Sequence, residues 1–473
     1  MSKRIGVFGW GIVAPKSPNI AAFQRNLASS ESWLAPFHGF GPDNFLVGTP
    51  EFDFNVYQGW VGERFAPRHF QRLVDKMDYP SLYAVGAFIQ ALGQNPGLEQ
   101  VLQELKDQAH IYVGTGLGSL HTIYDASIGL YKSQRRWDSF WSGREADLHA
   151  YLDELAQIDS TSIEGGIEAG KLHVIREREK ARGRLQEKWN APEPPWNVSA
   201  NLIWNIHNTP AAQISILGKI TGMAFAPVAA CSTFGLALHL AMRAIQHGDA
   251  KAVVIGATDP PPHPLTVGSF YSARVLSSDR KLSAPLTRMQ GTHVAGGSVV
   301  WIVGDMDYMT SRGFQPLGME PVGVGVTSDA DHIITPSPDG PRAAMTEALN
   351  EAGITPADIG TWDLHATATP GDYSEMTNLR SMLPETVLVT ARKGTFGHGM
   401  SAGGGWELTA QYLGYSEGHL FPTPLAPEEL NAAIAGMHQS FVFNTPCAIP
   451  KGWSGKLSMG IGGINACVIS RPL

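Results

Sequence analysis

Phe225-Ala-Pro-Val-Ala-Ala-Cys231-Ser-Thr-Phe-Gly235, read on through residues 236–246 and 251–256, decides the fold class. Residues 225–230 climb as an apolar strand. Residues 236–246 carry apolar side chains at helical spacing, and 251–255 are an apolar, β-branched run ending on Gly256. Strand, helix and strand in that order are the alternation of an α/β protein. The alternation continues outward on both sides. Residues 4–13 and 110–113 read as strands, with helical spacing at 20–29, 80–95 and 200–220. Beyond Gly256, 298–303, 361–364 and 387–390 read as strands, 340–352 and 404–415 as helices, and 456–460 with 466–470 as a closing hairpin. Two rounds of alternation predict an α/β protein with sheets packed between helices.

Composition narrows the function classes. The 473 residues are 43% hydrophobic and 16% charged, which excludes whole-chain disorder. A net charge of −8 argues against a general nucleic-acid binder. No stretch reaches the ~18 apolar residues of a membrane span, and the first residues lack a signal-peptide pattern. The sequence predicts a soluble, cytoplasmic protein. Cys231, Cys447 and Cys467 form an odd, sparse set without CxxC, so a disulfide framework or cysteine-rich zinc site is excluded.

One segment departs from the alternation. Residues about 133–196 are polar and charged, with no buried-strand signal. Within it, 171–188 reads either as a solvated helix laced by i,i+4 pairs or as a partner-docking surface. Trp137, Trp141, Trp189 and Trp196 flank it and predict that it packs down at both ends.

Three residues at strand ends carry chemistry. Cys231 is delivered to the start of a helix, where unpaired N–H groups and the dipole favour a thiolate. The bland alternative is inert core. His365 ends strand 361–364, and His398 precedes a glycine-rich helix start. Each alone reads equally as structural. No local zinc spacing joins them, and HExxH is absent. One cysteine and two histidines instead suit thiolate acyl transfer, with N–H donors holding the carbonyl charge. Gly114–Ser119 lacks GxGxxG spacing and a Walker lysine, so it is not a phosphate loop. Gly460-Ile-Gly-Gly-Ile-Asn465 is a hairpin turn or a ligand-facing turn.

Taken in order, Ala230-Cys231-Ser-Thr, HxTxTPGDxxE from His365 to Glu375, KxxxGH from Lys393 to His398, and GxGGxN from Gly460 to Asn465 resemble the elongating β-ketoacyl-acyl-carrier-protein synthases. The resemblance covers nearly all of the chain outside the polar segment. It implies the thiolase-like fold, an αβαβα five-layer sandwich of two related halves, here with an extra, mostly helical insert. The halves are expected at residues 1–265, with the nucleophile, and 266–473, with both histidines. A homodimer is expected, with acyl- and malonyl-loaded acyl carrier protein as partner and no nucleic acid.

By the same resemblance Cys231 is the acyl-accepting nucleophile, and His365 and His398 promote malonyl decarboxylation. Lys393 supports the histidine pair, with Glu375 as its charge partner. The N–H groups of Cys231 and Ile461 form the oxyanion hole. Thr367 and Thr369 touch pantetheine, and Phe234 and Phe270 are substrate-binding. No metal or organic cofactor is expected. Phe234 stands where the family usually has glycine, and Ile461 where the gate is often phenylalanine. A ring at 234 is expected to alter the acyl tunnel or the packing beside it. The expected activity is decarboxylative Claisen condensation in fatty-acid or polyketide-type synthesis. The alternatives are a specialised polyene or polyketide ketosynthase and a non-catalytic, chain-length-factor-like subunit.

Overall fold

The computed structural model describes residues 3–39, 44–160, 167–437 and 440–473. Residues 161–166 of the expected insert lie outside the described residues. Two sheets organise the rest. The first holds β1 (Ile5–Val13), β2 (Ala109–Gly114), β3 (Ala224–Phe225), β4 (Ala252–Asp259) and β5 (Gly297–Asp305), in the order β1-β5-β4-β2-β3. The second holds β6 (Met319–Ser328), β7 (Ile359–Asp363), β8 (Leu388–Thr390), β9 (Ser440–Phe441), β10 (Trp453–Gly460) and β11 (Ile464–Pro472), in the order β9-β8-β7-β10-β11-β6.

The two sheets repeat one topology. In each, the first strand pairs antiparallel with the last, the last antiparallel with its predecessor, and the remaining partners are parallel. Only β9 is additional, as a parallel edge strand on β8. This repeat corrects the expected division after residue 265. β5 lies beyond that point yet closes the first sheet, paired with both β1 and β4. The halves meet between Asp305 and Met319.

The longer helices include α1 (Tyr79–Leu92), α2 (Leu120–Ser160), α3 (Ile167–Trp189), α4 (Thr233–His247), α5 (Asp339–Ala352), α6 (Gly371–Met382) and α7 (Met400–Glu417). α1 packs on β1 and β5, and α5 on β6 and β11. Between the sheets run α4 and α7. The layers are therefore helix, sheet, helix, sheet, helix, the thiolase-like sandwich expected. Central β4 (AVVIGATD) and β5 (GSVVWIVGD) are buried at every residue, as strands covered on both faces must be. α7 is buried from Met400 to Gly414, and Gly403-Gly404-Gly405 on it admits close neighbours. A Cβ on Gly405 would stand 2.4 Å from Val299 and 2.8 Å from the Phe234 ring.

The strand expected at 225–230 is shorter. Only Ala224–Phe225 pairs with β2. Pro227 has no N–H to give a ladder, and the chain turns directly into the cysteine loop.

Thr122–Ile203 forms a separate compact unit. Its α2 and α3 run antiparallel, joined by Arg178–Asp159 (2.5 Å), Arg184–Glu154 and Lys188–Asp147 (3.0 Å). At its base Trp137 stacks on Trp196, with centroids 5.6 Å apart, and Arg144 lies 4.1 Å over Phe140.

Candidate active site

Cys231 sits on a single 3₁₀ turn, Ala230–Ser232, immediately before α4. The turn is sharp, and Ala230 takes a left-handed φ of 47° that costs a non-glycine residue about 1–3 kcal/mol. Surrounding bonds hold it there. Ser232 Oγ donates to Ser458 O (3.0 Å) and Ile464 O (2.8 Å), tying the turn to the β10–β11 hairpin. Thr233 Oγ1 accepts from the Ala229 N–H and donates to Ala230 O. Gly460 lies so close that a Cβ would stand 2.6 Å from Ala229 O. That approach brings the Ile461 N–H, with the Cys231 N–H, to the sulfur.

His365 follows β7 and His398 precedes α7, each at a strand-to-helix crossing. The donor atoms of Cys231, His365 and His398 lie within 4.8 Å of one another, all buried. Cys231 Sγ is 3.2 Å from His398 Nε2, and the two rings meet edge to face at 5.4 Å. The far side of each ring fixes its tautomer. His398 Nδ1 accepts the Met400 N–H at 3.2 Å. His365 Nδ1 faces Lys393 Nζ at 3.5 Å, and an ammonium can only donate. Each neutral ring therefore carries its proton on Nε2. Such a spacing could hold a soft divalent ion only after those protons were lost.

The electrostatics favour that neutral state. Burial holds both imidazoles well below the usual histidine range, and the positive charges of Lys393 and Lys456 add to it. Burial also pushes the Cys231 thiol up to about 11, against the pull of Lys393 and the two backbone N–H groups. The thiolate expected from the helix end is thus not the resting form, because desolvation outweighs the dipole.

Lys393 pairs with Glu407 Oε1 (2.7 Å) and donates to His365 O. This corrects the expected Lys393–Glu375 pairing. Glu375, on α6, instead accepts the N–H groups of His365 (2.7 Å) and Ala366 (2.8 Å), and its neighbour Asp372 accepts those of Thr367 and Ala368. Two carboxylates thus clamp four consecutive N–H groups of the His365 loop. Burial raises both acids, Glu375 to about 7 and Asp372 to about 6.

A cavity of about 410 Å³ opens over the trio, lined among others by Phe270, Thr367, Thr369 and Ile461. Thr367 and Thr369 share a hydroxyl–hydroxyl bond of 3.0 Å. Ile461 is exposed at its mouth. Phe234 is absent from that lining and fully buried, its ring edge-on to Trp301 at 5.1 Å and seated against Gly405. The expectation that it shapes the substrate path is corrected. Its place on α4 turns it into the core between the sheets.

Sequence reading missed Glu407, Lys456, Asp363, Arg392 and Asp259. Glu407 and Asp363 are charged residues inside largely apolar runs, which is the available signal for them, and Lys456, Arg392 and Asp259 carry no such mark. Asp259 accepts from Thr115 Oγ1, the Leu117 N–H and the Ser401 N–H, joining the 114–119 loop to the start of α7.

Family models agree with this constellation. The β-ketoacyl synthase N-terminal domain matches residues 161–305 and the C-terminal domain residues 320–425, together more than half of the chain. The chain belongs to the β-ketoacyl synthases. The synthase is therefore an acyltransferase of the condensing type. It is 26% identical over 490 residues to 3-oxoacyl-[acyl-carrier-protein] synthase 2 of Vibrio harveyi, with all of both chains covered. The namesake of Staphylococcus aureus strain N315 is 29% identical over 308 residues, 62% of the synthase and 72% of that protein. Two solved structures share its fold over all of both chains. They are the ishigamide ketosynthase/chain length factor (TM-score 0.75, 18% identity) and a β-ketoacyl synthase from Burkholderia phymatum STM815 (TM-score 0.74, 18% identity).

Proposed function

We propose that the enzyme elongates an acyl chain by decarboxylative Claisen condensation, joining an acyl group held on Cys231 to malonyl-acyl carrier protein. The observation that carries this reading is the convergence of one thiol and two imidazoles whose Nε2–H bonds point inward. In the first step Cys231 Sγ attacks an acyl thioester. The charged oxygen meets the N–H groups of Cys231 and Ile461, and the pantetheine thiol leaves with the cysteine proton. In the second step the malonyl thioester carbonyl accepts N–H bonds from His365 and His398. Carbon dioxide departs, and the enolate left behind is stabilised by those bonds. Its carbon attacks the Cys231 thioester, the C–S bond breaks, and the sulfur regains a proton.

No electron changes hands with an outside oxidant, so this chemistry asks for no organic cofactor or metal. Lys393 holds His365 in the donor tautomer. Thr367, Thr369 and Phe270 line the path of the pantetheine arm. Acyl carrier protein is the partner this reading requires, and cytoplasm is the compartment. A homodimer is the assembly this reading takes, and the exposed Met223 and Val228 beside edge strand β3 support an interface there. A non-catalytic subunit is the poorer reading, because the nucleophile and both donors stand together.

The test is the intact mass of the protein after incubation with a panel of acyl-loaded carrier proteins, wild type beside Cys231→Ala. An acyl mass on wild type alone, followed by β-ketoacyl product when malonyl-loaded carrier protein is added, is the expected result. No mass gain with any acyl class would overturn the reading.

A further inference from the structure

We propose that Lys456 is a positioning residue of the condensation site, holding the strand end before His365 and, through Glu407, the ammonium that faces His365. This rests on the condensation reading above. Lys456 lies on β10, level with Asp363 on β7 and fully buried. Its Nζ is 2.7 Å from Glu407 Oε2 and 3.4 Å from Asp363 Oδ1. The other oxygen of Glu407 holds Lys393 at 2.7 Å. One carboxylate is thus shared by two lysines, which also take two consecutive carbonyls. Lys456 donates to Leu364 O at 3.2 Å, and Lys393 to His365 O. Arg392, also fully buried, closes the chain with Nε 3.5 Å from Asp363 Oδ2. Below the imidazoles there are therefore three cations and two carboxylates, an excess of one positive charge.

Cations buried in pairs hold their charge when carboxylates face them. Burial, which acts against the Lys456 ammonium, is outweighed by Glu407 and Asp363, so its affinity for the proton is raised. The charged and titratable groups around the two rings are Lys393, Lys456 on β10, Glu407 on α7, Asp372 and Glu375 on α6, Asp363 on β7, Arg392, Asp259 on β4, and Cys231. Of the three cations only Lys393 faces a ring nitrogen, and of the other two Lys456 is the one that also holds Glu407. Its effect travels through charge and through Glu407, and this distinguishes positioning from catalysis. A second proton on either imidazole would sit on Nδ1, against the Lys393 ammonium or the Met400 N–H, so the excess charge keeps both rings in the neutral Nε2–H form at lower pH.

The test is the pH profile of kcat for condensation by the full-length protein, with acyl- and malonyl-loaded carrier proteins, in Lys456→Met, Asp363→Asn and the double variant. Lys456→Met removes a positive charge, and its acid limb is expected to move up by on the order of one pH unit. Asp363→Asn removes a negative charge and moves the limb down. The double variant restores the charge balance and returns the limb toward wild type. Circular dichroism reports folding, and if Lys456→Met does not fold, the other two variants decide. An acid limb that stays put in Asp363→Asn, or a double variant that does not return, would overturn the inference. Wild type that takes up no acyl group or does not condense would fell the functional reading instead, and the inference with it.

Discussion

Replacing Glu375 with glutamine should change how stability depends on pH, and by an amount the geometry fixes. Burial raises this carboxyl from its ordinary 4.5 to about 7, although it accepts two backbone N–H bonds. A group whose folded pKa lies above its unfolded value favours folding when protonated. Its contribution is therefore full below pH 4.5 and is lost as the pH rises toward 7. At about 1.4 kcal/mol per pH unit, ionising it in the fold costs about 3 kcal/mol, of which roughly 2–3 kcal/mol falls between pH 5 and pH 8. Glutamine cannot ionise, so it escapes that cost. It also places an NH₂ against one of the two N–H groups, losing a bond worth about 1–3 kcal/mol to a buried donor. The variant should be less stable than wild type at pH 5 and close to it at pH 8. Urea midpoints of both proteins at the two pH values measure the swing. Equal slopes with pH would refute the claim that Glu375 is a buried acid ionising near neutrality. Because Glu375 holds the His365 N–H, the variant should also lose about tenfold in kcat, whatever its stability.

Other outcomes follow from the same geometry. Cys231, raised to about 11 by burial, should be alkylated slowly by iodoacetamide at pH 7, with the rate climbing about tenfold per pH unit until the thiol titrates. A fast, pH-independent reaction would show a resting thiolate. Phe234→Ala should cost about 3–5 kcal/mol by leaving a core cavity beside Trp301. It should leave acyl-chain preference unaltered, as competition between carrier proteins of different chain length would reveal. Ile461→Phe, at the exposed cavity mouth, should shift the Tm by less than about 2 °C while changing KM for acyl carrier protein. Gly455→Ala should fail to accumulate as soluble protein, since its Cβ would stand 2.1 Å from the buried Trp362 ring.

Much of this protein is legible in its residues. The largely apolar runs of β1, β4 and β5 read as covered strands, and the alternation with helices points to layers. Cys231, His365 and His398 are legible because each is a reactive side chain just ahead of a helix or just after a strand, where the chain turns toward a crevice. Glu375 misled for a physical reason. Two carboxylates, Glu375 and Glu407, are both within reach of Lys393 by sequence order, and only three-dimensional register on α7 decides between them. Phe234 misled in the same way. Proximity to the cysteine along the chain says nothing about which way α4 turns the ring. The thiol pKa was read with the wrong sign because dipole and desolvation oppose each other, and the depth of burial that decides between them is not written locally.

The repeated strand order has a historical consequence. Cys231 and His398 occupy matching places, each just ahead of the helix that its own half contributes to the middle layer. In the proposed reaction neither half is complete: one brings Cys231 and the other brings His365 and His398. A repeated strand order with matching positions is what tandem duplication of one half would leave, with cysteine at the shared position in one copy and histidine in the other.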